Sequence, residues 1–323
     1  MENGISEVKA IVDELSIEED LKLVEVYEKG LLIYDSVNLE LPEKIYHYTS
    51  PGGMKGIIEN TALWFTNYKF LNDRSEKIYT YQLLKICMEE KKDSLKKQFY
   101  DEVMKCISDE GKNIAFTYRG LFERYDFYLA SFSCNADSLN LWNYYTKNES
   151  KTGYNITFST EKLKKSLTNK HFNFIKVNYD QDKQREEIIH YIDCYNNAWD
   201  ETAREIYLRV LLATFLDEIE HMSIRSKHEA FKGESEVRIV YKGDSEFRKR
   251  LRDNNLLKFR EMNGIMVPYL QSEFSKDSIV GISISPTQRD ELAQEGLLRL
   301  LEYNGYAQID NQKITISDIP LRY

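Results

Sequence analysis

The residues of this 323-residue chain best equipped for chemistry are one imidazole and one late run of charges. His47 sits in a short β-prone run, Ile45-Tyr46-His47-Tyr48, that ends in Thr49-Ser50-Pro51-Gly52-Gly53. Far downstream, Lys227 precedes Glu234-Ser235-Glu236-Val237-Arg238. Side chains on a strand repeat every two residues, so Glu234, Glu236 and Arg238 are expected on one face. Carboxylates so placed can stabilise positive charge on a substrate, and Lys227 or Arg238 can meet phosphate oxygens. A neutral imidazole can hydrogen-bond a hydroxyl or a carboxamide. Tyr48 and Trp64 are flat enough to stack on a ring, and Asn72, Asp73 and Glu76 form a polar knot between them and the later strands.

Each of these has a structural reading as well. A histidine within an aromatic run is often a hydrogen-bonded core residue, and three charges on one strand face usually pair with one another. Asn72-Asp73-Glu76 has the spacing of a helix cap, and Trp142 with Tyr145 has the i, i+3 spacing of a packed helix face. Ser133 lacks an adjacent base and is a weak nucleophile candidate. His190 and Cys194 lie four apart on an expected helix, but no further ligands at matching spacing complete a zinc set, so no metal site is expected. Four dispersed cysteines without a CxxC pair read as buried thiols.

The elements that must position these groups follow from periodicity and caps. Two short helices are expected within residues 5–34, the second capped by Ser16, as a helical prefix spanning residues 1–40. The Thr49 or Ser50 hydroxyl is expected to cap a short helix that follows the Pro51-Gly52-Gly53 turn and carries Met54, Ile57 and Ile58, followed by a strand through Ala62–Thr66. A helical segment follows from Arg74, then strands over Asn113–Tyr118, Phe127–Ser133, Gly153–Ser159 and Phe172–Tyr179. Residues 181–222 contain neither Gly nor Pro and predict one or two long helices, after which strands are expected over Glu234–Tyr241, Leu257–Arg260, Gly264–Tyr269 and Val280–Ser285. Pro286 is expected at the first turn of the last helix, and Lys313–Ile316 as a closing strand. The domain reading is a prefix at 1–40 and one α+β domain at 41–323 with a helical insertion at about 181–222.

Four segments together resemble the bacterial DUF2971 family: Tyr46-His47-Tyr48-Thr49; Leu63-Trp64-Phe65 through Asn72-Asp73 to Glu76; Ser131-Phe132-Ser133 with Leu141, Trp142, Tyr145 and Gly153; and Lys227 through Phe231 to Arg238. Ser317–Arg322 fits as well, so the resemblance runs over about residues 44–323. More distantly, the same pieces are similar to the ADP-ribosyltransferase superfamily. That likeness implies a split, mostly antiparallel β-core around an NAD pocket. It implies His47 on the first strand, Ser131 or Ser133 in a middle strand and Glu234-x-Glu236 late, with His47, Glu234 and Glu236 as the catalytic residues. Glu236 would then stabilise an oxocarbenium-like ribose and Glu234 would orient the acceptor, with NAD as substrate. The side chains expected to bind the cofactor are Tyr48, Thr49, Trp64, Asn72, Asp73, Ser133, Lys227 and Arg238, although Arg238 and the Asn72-Asp73-Glu76 knot have no role in that superfamily's usual triad. A role in bacterial or phage defence suits such an enzyme. The rival readings are a non-catalytic module binding a nucleotide or a protein, and a metal-dependent nuclease built on Asp73, Glu76, Glu234 and Glu236.

Bulk composition narrows the classes. A net charge of −9 argues against broad phosphate neutralisation on nucleic acid, although a nucleic-acid or protein acceptor is compatible with it. No run approaches the length of a membrane span, and the N-terminus lacks a hydrophobic signal core, so a cytoplasmic protein is expected. The expected ligand is a nucleotide or other small molecule, and the helical prefix is a candidate for self-association.

Overall fold

Of the two candidate hydroxyls Ser50 makes the cap: its Oγ accepts from the Gly53 N–H at 3.2 Å, and the helix starts at Pro51 rather than after Gly53. Gly53 is required there, because a Cβ at that position would meet Thr49 Oγ1 at 2.1 Å. Ser16 and Glu19 likewise close a reciprocal capping box, Ser16 N to Glu19 Oε2 at 2.8 Å and Glu19 N to Ser16 Oγ at 3.3 Å.

The computed structural model describes residues 15–37, 40–71, 75–108, 126–145, 152–167, 172–243, 257–262, 264–288 and 291–320. In chain order these form α1 (Ile17–Val37), β1 (Lys44–Thr49), α2 (Pro51–Asn60), β2 (Ala62–Asn67), α3 (Ser75–Lys91) and α4 (Lys97–Ser108). Next come β3 (Asp126–Ser133), α5 (Leu139–Tyr145), β4 (Tyr154–Ser159), α6 (Thr160–Ser166), β5 (Phe172–Lys176), α7 (Gln181–Ala198) and α8 (Glu205–Arg225). The chain ends with β6 (Glu236–Gly243), β7 (Leu257–Met262), β8 (Ile265–Glu273), β9 (Ile279–Ile284), α9 (Glu291–Tyr303) and β10 (Ile314–Ile316). The expected helix before Leu15 and the expected strand at 113–118 lie outside the described residues, as do Asn72 and Asp73.

The ten strands form a mixed α/β architecture on one open sheet, in the order β10-β9-β4-β1-β3-β2-β8-β7, with β6 on β3 and β5 on β6. Every pairing is antiparallel except β9 with β10. Because β6 pairs with β3 from Asp126 to Ser133, it fills one edge of β3. The other edge is divided: β1 meets it at Ser133, and β2 meets it at Tyr128 and Leu129. The sheet therefore forks at Ala130, Ser131 and Phe132. Cys134 N donates to Ser235 O at 2.7 Å, so by alternation the backbone groups of Ser131 point into the fork rather than toward β6.

One sheet face packs Ile45, Phe65, Phe132, Ile156, Phe158, Val237 and Ile239 against α2, α6 and α9. A second core is all-helical, built by α1, α3, α4, α7 and α8 around side chains such as Leu84, Phe99, Trp199 and Phe215. Burying an aromatic of that size contributes about 1.5–3 kcal/mol. The two cores meet through Ile224, which packs on Phe127, Leu129 and Val240 across the second sheet face. Thus α8 leads the chain out of the helical body and onto the face opposite the main sheet core.

Three expectations need correction. The strand carrying Arg238 begins at Glu236, not Glu234, because Glu229–Glu234 is a 3₁₀ turn that ends in left-handed Ser235 (φ 48°). Pro286 does not open the last helix: Gln288 N donates to Ser285 O at 3.1 Å in a turn, and α9 starts at Glu291. The second prefix helix passes the expected limit at residue 34 and runs to Val37. The segment at 181–222 resolves into α7 and α8, parted where Asp200 Oδ1 accepts from Thr202 N (2.9 Å) and Thr202 Oγ1 (2.7 Å).

Candidate functional site

Glu236 opens β6 on the face opposite the main core, paired in register with Ser133, while Arg238 is paired with Ser131. Cross-strand partners share a face, so these four side chains project together. Arg238 donates to both Glu236 oxygens, Nε to Oε1 and Nη2 to Oε2, each at 2.9 Å, and Nη1 donates to Ile224 O at 2.6 Å. Lys227 Nζ adds a contact to Glu236 Oε2 at 3.0 Å and one to Glu234 Oε2 at 2.7 Å. Two parallel bonds from a guanidinium make the strongest kind of carboxylate pair.

The chain positions Lys227 with care. Its N–H donates to Asn178 O at 3.0 Å, and Gln184 Nε2 of α7 donates to the carbonyls of both Asn178 (2.8 Å) and Lys227 (3.0 Å). Just upstream, Arg225 forms a buried pair with Glu187 of α7, its Nη1 at 2.8 Å from Glu187 Oε2. Ser235 holds the left-handed conformation that lets Glu234 and Glu236 converge on one ammonium, at a cost of about 1–2 kcal/mol for a residue with a Cβ. Ser133 Oγ ties the same turn by donating to Glu234 O at 2.6 Å, and Tyr179 Oη accepts from Glu236 N at 3.0 Å.

Burial separates the members of this network. The side chains of Glu236 (6 % exposed), Arg238 (3 %) and Lys227 (8 %) are shut in, whereas Glu234 is 33 % exposed. Burial pushes the Glu236 carboxyl up, but the charges of Arg238 and Lys227 and hydrogen bonds from Arg238 and Ser131 outweigh it and hold it at about 2. A carboxyl depressed in the fold contributes stability above its unfolded pKa of 4.5 and loses it as pH falls toward 2. The urea midpoint is therefore expected to drop on acidification through that window. Glu236→Gln should flatten this part of the profile; an unchanged slope in the variant would remove Glu236 as its source.

His47 is not part of this cluster. It pairs in register with Ile156, beside Ile45, and its ring lies 5.2 Å from that of Phe132, all on the main-core side. Its Nδ1 lies 2.9 Å from Ser131 O, the carbonyl that the sheet fork leaves without a strand partner. A carbonyl only accepts, so Nδ1 carries the proton and Nε2 the lone pair. Burial lowers the His47 pKa against the opposing pull of that bond, which keeps the ring neutral. The pleat thus sends His47 and Glu236 to opposite sides of one sheet, where they line no shared hollow.

The remaining candidates divide. Tyr48 shares the Glu236 side but is buried; its ring packs edge-on to Trp142 at 4.9 Å, and its hydroxyl donates to Asn135 O and accepts from Ser138 N, both at 3.0 Å. Thr49 is buried against Gly53, where it shapes the helix start. Trp64 lies on the same side as Ser131 but along the other branch of the sheet fork. Residues missed from sequence are Tyr145 and Tyr179, both of which feel Glu236, Glu234 and Lys227. Burial first, then the Glu236 charge, raises both, Tyr145 to about 12. The i, i+3 spacing of Trp142 and Tyr145 marks only a packed helix face, and nothing in the local sequence marks Tyr179.

His190 Nε2 lies 2.9 Å from Lys29 O and 3.5 Å from Cys194 Sγ. Among the described residues, no group of three His, Cys, Asp or Glu side chains is placed to hold a metal ion. A groove of about 680 Å³ runs between α1 and α7–α8, lined by Glu19, Lys22, Lys29, Cys194, Asp200 and Arg204, and none of the catalytic or cofactor-binding candidates borders it.

The fold and this network define a mixed α/β protein with an open, mostly antiparallel sheet and a buried Lys–Glu–Arg cluster. Residues 141–239 match the DUF2971 family model, described as a protein of unknown function, so the resemblance to that family holds over this segment. The match spans α5, α7, α8, Lys227 and most of the Glu236 network; the His47 strand and the tail fall outside it. No curated protein and no solved structure matches the chain. Among the described residues, no helix is long and apolar enough to cross a membrane.

Proposed function

We propose that this chain is a nucleotide-binding module in which Lys227 takes a ligand phosphate in exchange for Glu234 and holds the ligand without cleaving it. The observation that carries this reading is the saturation of Glu236: Arg238 and Lys227 engage both of its oxygens. A carboxylate so enclosed is a poor stabiliser of a developing oxocarbenium ion, whereas the one-third-exposed Glu234 is an exchangeable internal anion on Lys227.

A second reading is NAD glycosyl transfer of the ADP-ribosyltransferase type, to a protein or nucleic-acid acceptor and in a defence setting. The forked sheet favours it, since Glu236 starts the strand beside Ser131 and Ser133. It requires Arg238 to leave Glu236, and it gives His47 no contact with the substrate. The metal-dependent nuclease reading meets an obstacle: the Lys227 ammonium occupies the space between Glu234 and Glu236 where a divalent ion would sit.

Equilibrium dialysis with ADP-ribose and NAD, with nicotinamide followed chromatographically, tests these readings. Binding without nicotinamide release is expected, about ten-fold weaker in Lys227→Gln and tighter in Glu234→Gln. Nicotinamide release that Glu236→Gln abolishes would hand the site to the transferase reading. Failure of both ligands to bind at millimolar concentration would end both.

A further inference from the structure

We propose that the face of β2, β8 and β7 on the Glu236 side of the sheet is a second ligand site, which takes a planar aromatic ring bearing a phosphate, of the nucleoside monophosphate class. The ring stacks on Trp64, and the phosphate pairs with Arg260. This site goes beyond the Lys227 reading and shares no residue with it.

The register assembles the site. Trp64 is opposite Gln271, Thr66 opposite Tyr269, Lys258 opposite Tyr269, and Arg260 opposite Val267, so these side chains share one face. Trp64 is 39 % exposed, whereas Trp142 and Trp199 are fully buried. Its ring leans on Tyr269, with centroids 4.6 Å apart and planes 32° apart, and the Arg260 guanidinium lies 5.6 Å from the Trp64 ring and 6.0 Å from the Tyr269 ring. An indole that rests on a second ring and is still 39 % exposed offers aromatic surface on which a planar ligand can stack.

The charges beside it lack partners of opposite sign. Arg260 donates Nη2 to Thr66 Oγ1 at 2.9 Å, and its buried Nε has no acceptor. Lys258 Nζ donates to the neutral Gln271 Oε1 at 2.7 Å. Among the described residues, no carboxylate pairs with either cation. Arg185, Arg204, Arg209, Arg225, Arg238 and Arg299, the other described arginines, each pair with a carboxylate. A half-buried guanidinium with an unfilled donor lacks the anion that would offset its desolvation. A guanidinium stacked among aromatic rings with donors to spare matches a phosphate joined to a flat base.

The test is a titration of the full chain with AMP, read by tryptophan fluorescence. Because Trp64 is the exposed indole, AMP is expected to quench emission saturably, and Trp64→Phe to abolish the quench. Adenosine, which lacks the phosphate, should need about ten-fold higher concentration, and inorganic phosphate should leave the emission unchanged. Arg260→Gln should bring AMP down to the level of adenosine. Arg260→Lys retains charge without the planar fork and should fall between, which covers the case in which the glutamine variant fails to fold. Lys227→Gln should leave the quench intact, separating this site from the Lys227 network. An emission unmoved by millimolar AMP, a quench by phosphate alone, or the same AMP midpoint of the Trp64 quench in wild type and Arg260→Lys would each overturn the proposal.

Discussion

Replacing Arg238 with methionine is expected to lower the stability of the protein by about 3–5 kcal/mol at neutral pH. The change removes both bonds to Glu236 and the donor to Ile224 O, while Glu236 stays buried and ionised beside Lys227 alone. Leaving one member of a buried ion pair uncompensated is what makes the cost large; the intact pair need not stabilise the fold by that much. Glu236→Leu with Arg238→Met removes both charges and is expected to recover a good part of the loss. Glu234→Gln, at the solvent-exposed end of the same network, should cost under about 1 kcal/mol. Urea unfolding of the three variants measures this ordering. A penalty for Arg238→Met no larger than that of Glu234→Gln would mean that the Arg238–Glu236 pair is not sealed from solvent.

Much of the architecture was legible because its signals are local. Ser16 with Glu19 and Ser50 with the Gly53 N–H announce helix starts through hydroxyl and carboxylate geometry alone. Strands such as β3 and β4 show in runs of β-branched and aromatic residues. The convergence of Lys227, Glu234, Glu236 and Arg238 was also within reach, since all four lie within twelve positions. The failures share a physical origin in which edge or face a residue meets. Alternation along β1 sends His47 to one side, but only pairing with β3 and β4 reveals that this side is the core. No periodicity announces that β1 and β2 divide one edge of β3, and that division gives the imidazole its carbonyl. Ser235 escaped notice because a left-handed serine carries no sequence mark comparable to glycine.

Trp142→Ala is expected to cost about 3–5 kcal/mol and to loosen the wall around the Glu236 network. Trp142 is fully buried in α5, edge-on to Tyr48, and its Nε1 donates to Asp137 Oδ1 at 2.5 Å. The same Asp137 oxygen accepts from Ser317 Oγ at 2.8 Å, so the indole helps pin the C-terminal segment to the loop before α5. Truncation leaves a cavity of indole size, which a helix of seven residues cannot close by shifting without losing its own contacts. Those contacts matter to the site: α5 rests on the 229–234 turn, where a Cβ at Gly233 would lie 3.2 Å from Asn140 Nδ2, and Tyr145 closes the helix next to Glu236. Trp142→Phe fills most of the space and leaves Asp137 its bond from Ser317, so its cost should be nearer 1–2 kcal/mol. Hydrogen exchange should report the consequence, with amides of α5 and of the 229–234 turn losing protection together in the alanine variant. Protection lost in α5 alone would mean that the helix does not brace the turn, and that Glu234 is positioned by Ser133 and Lys227 without it.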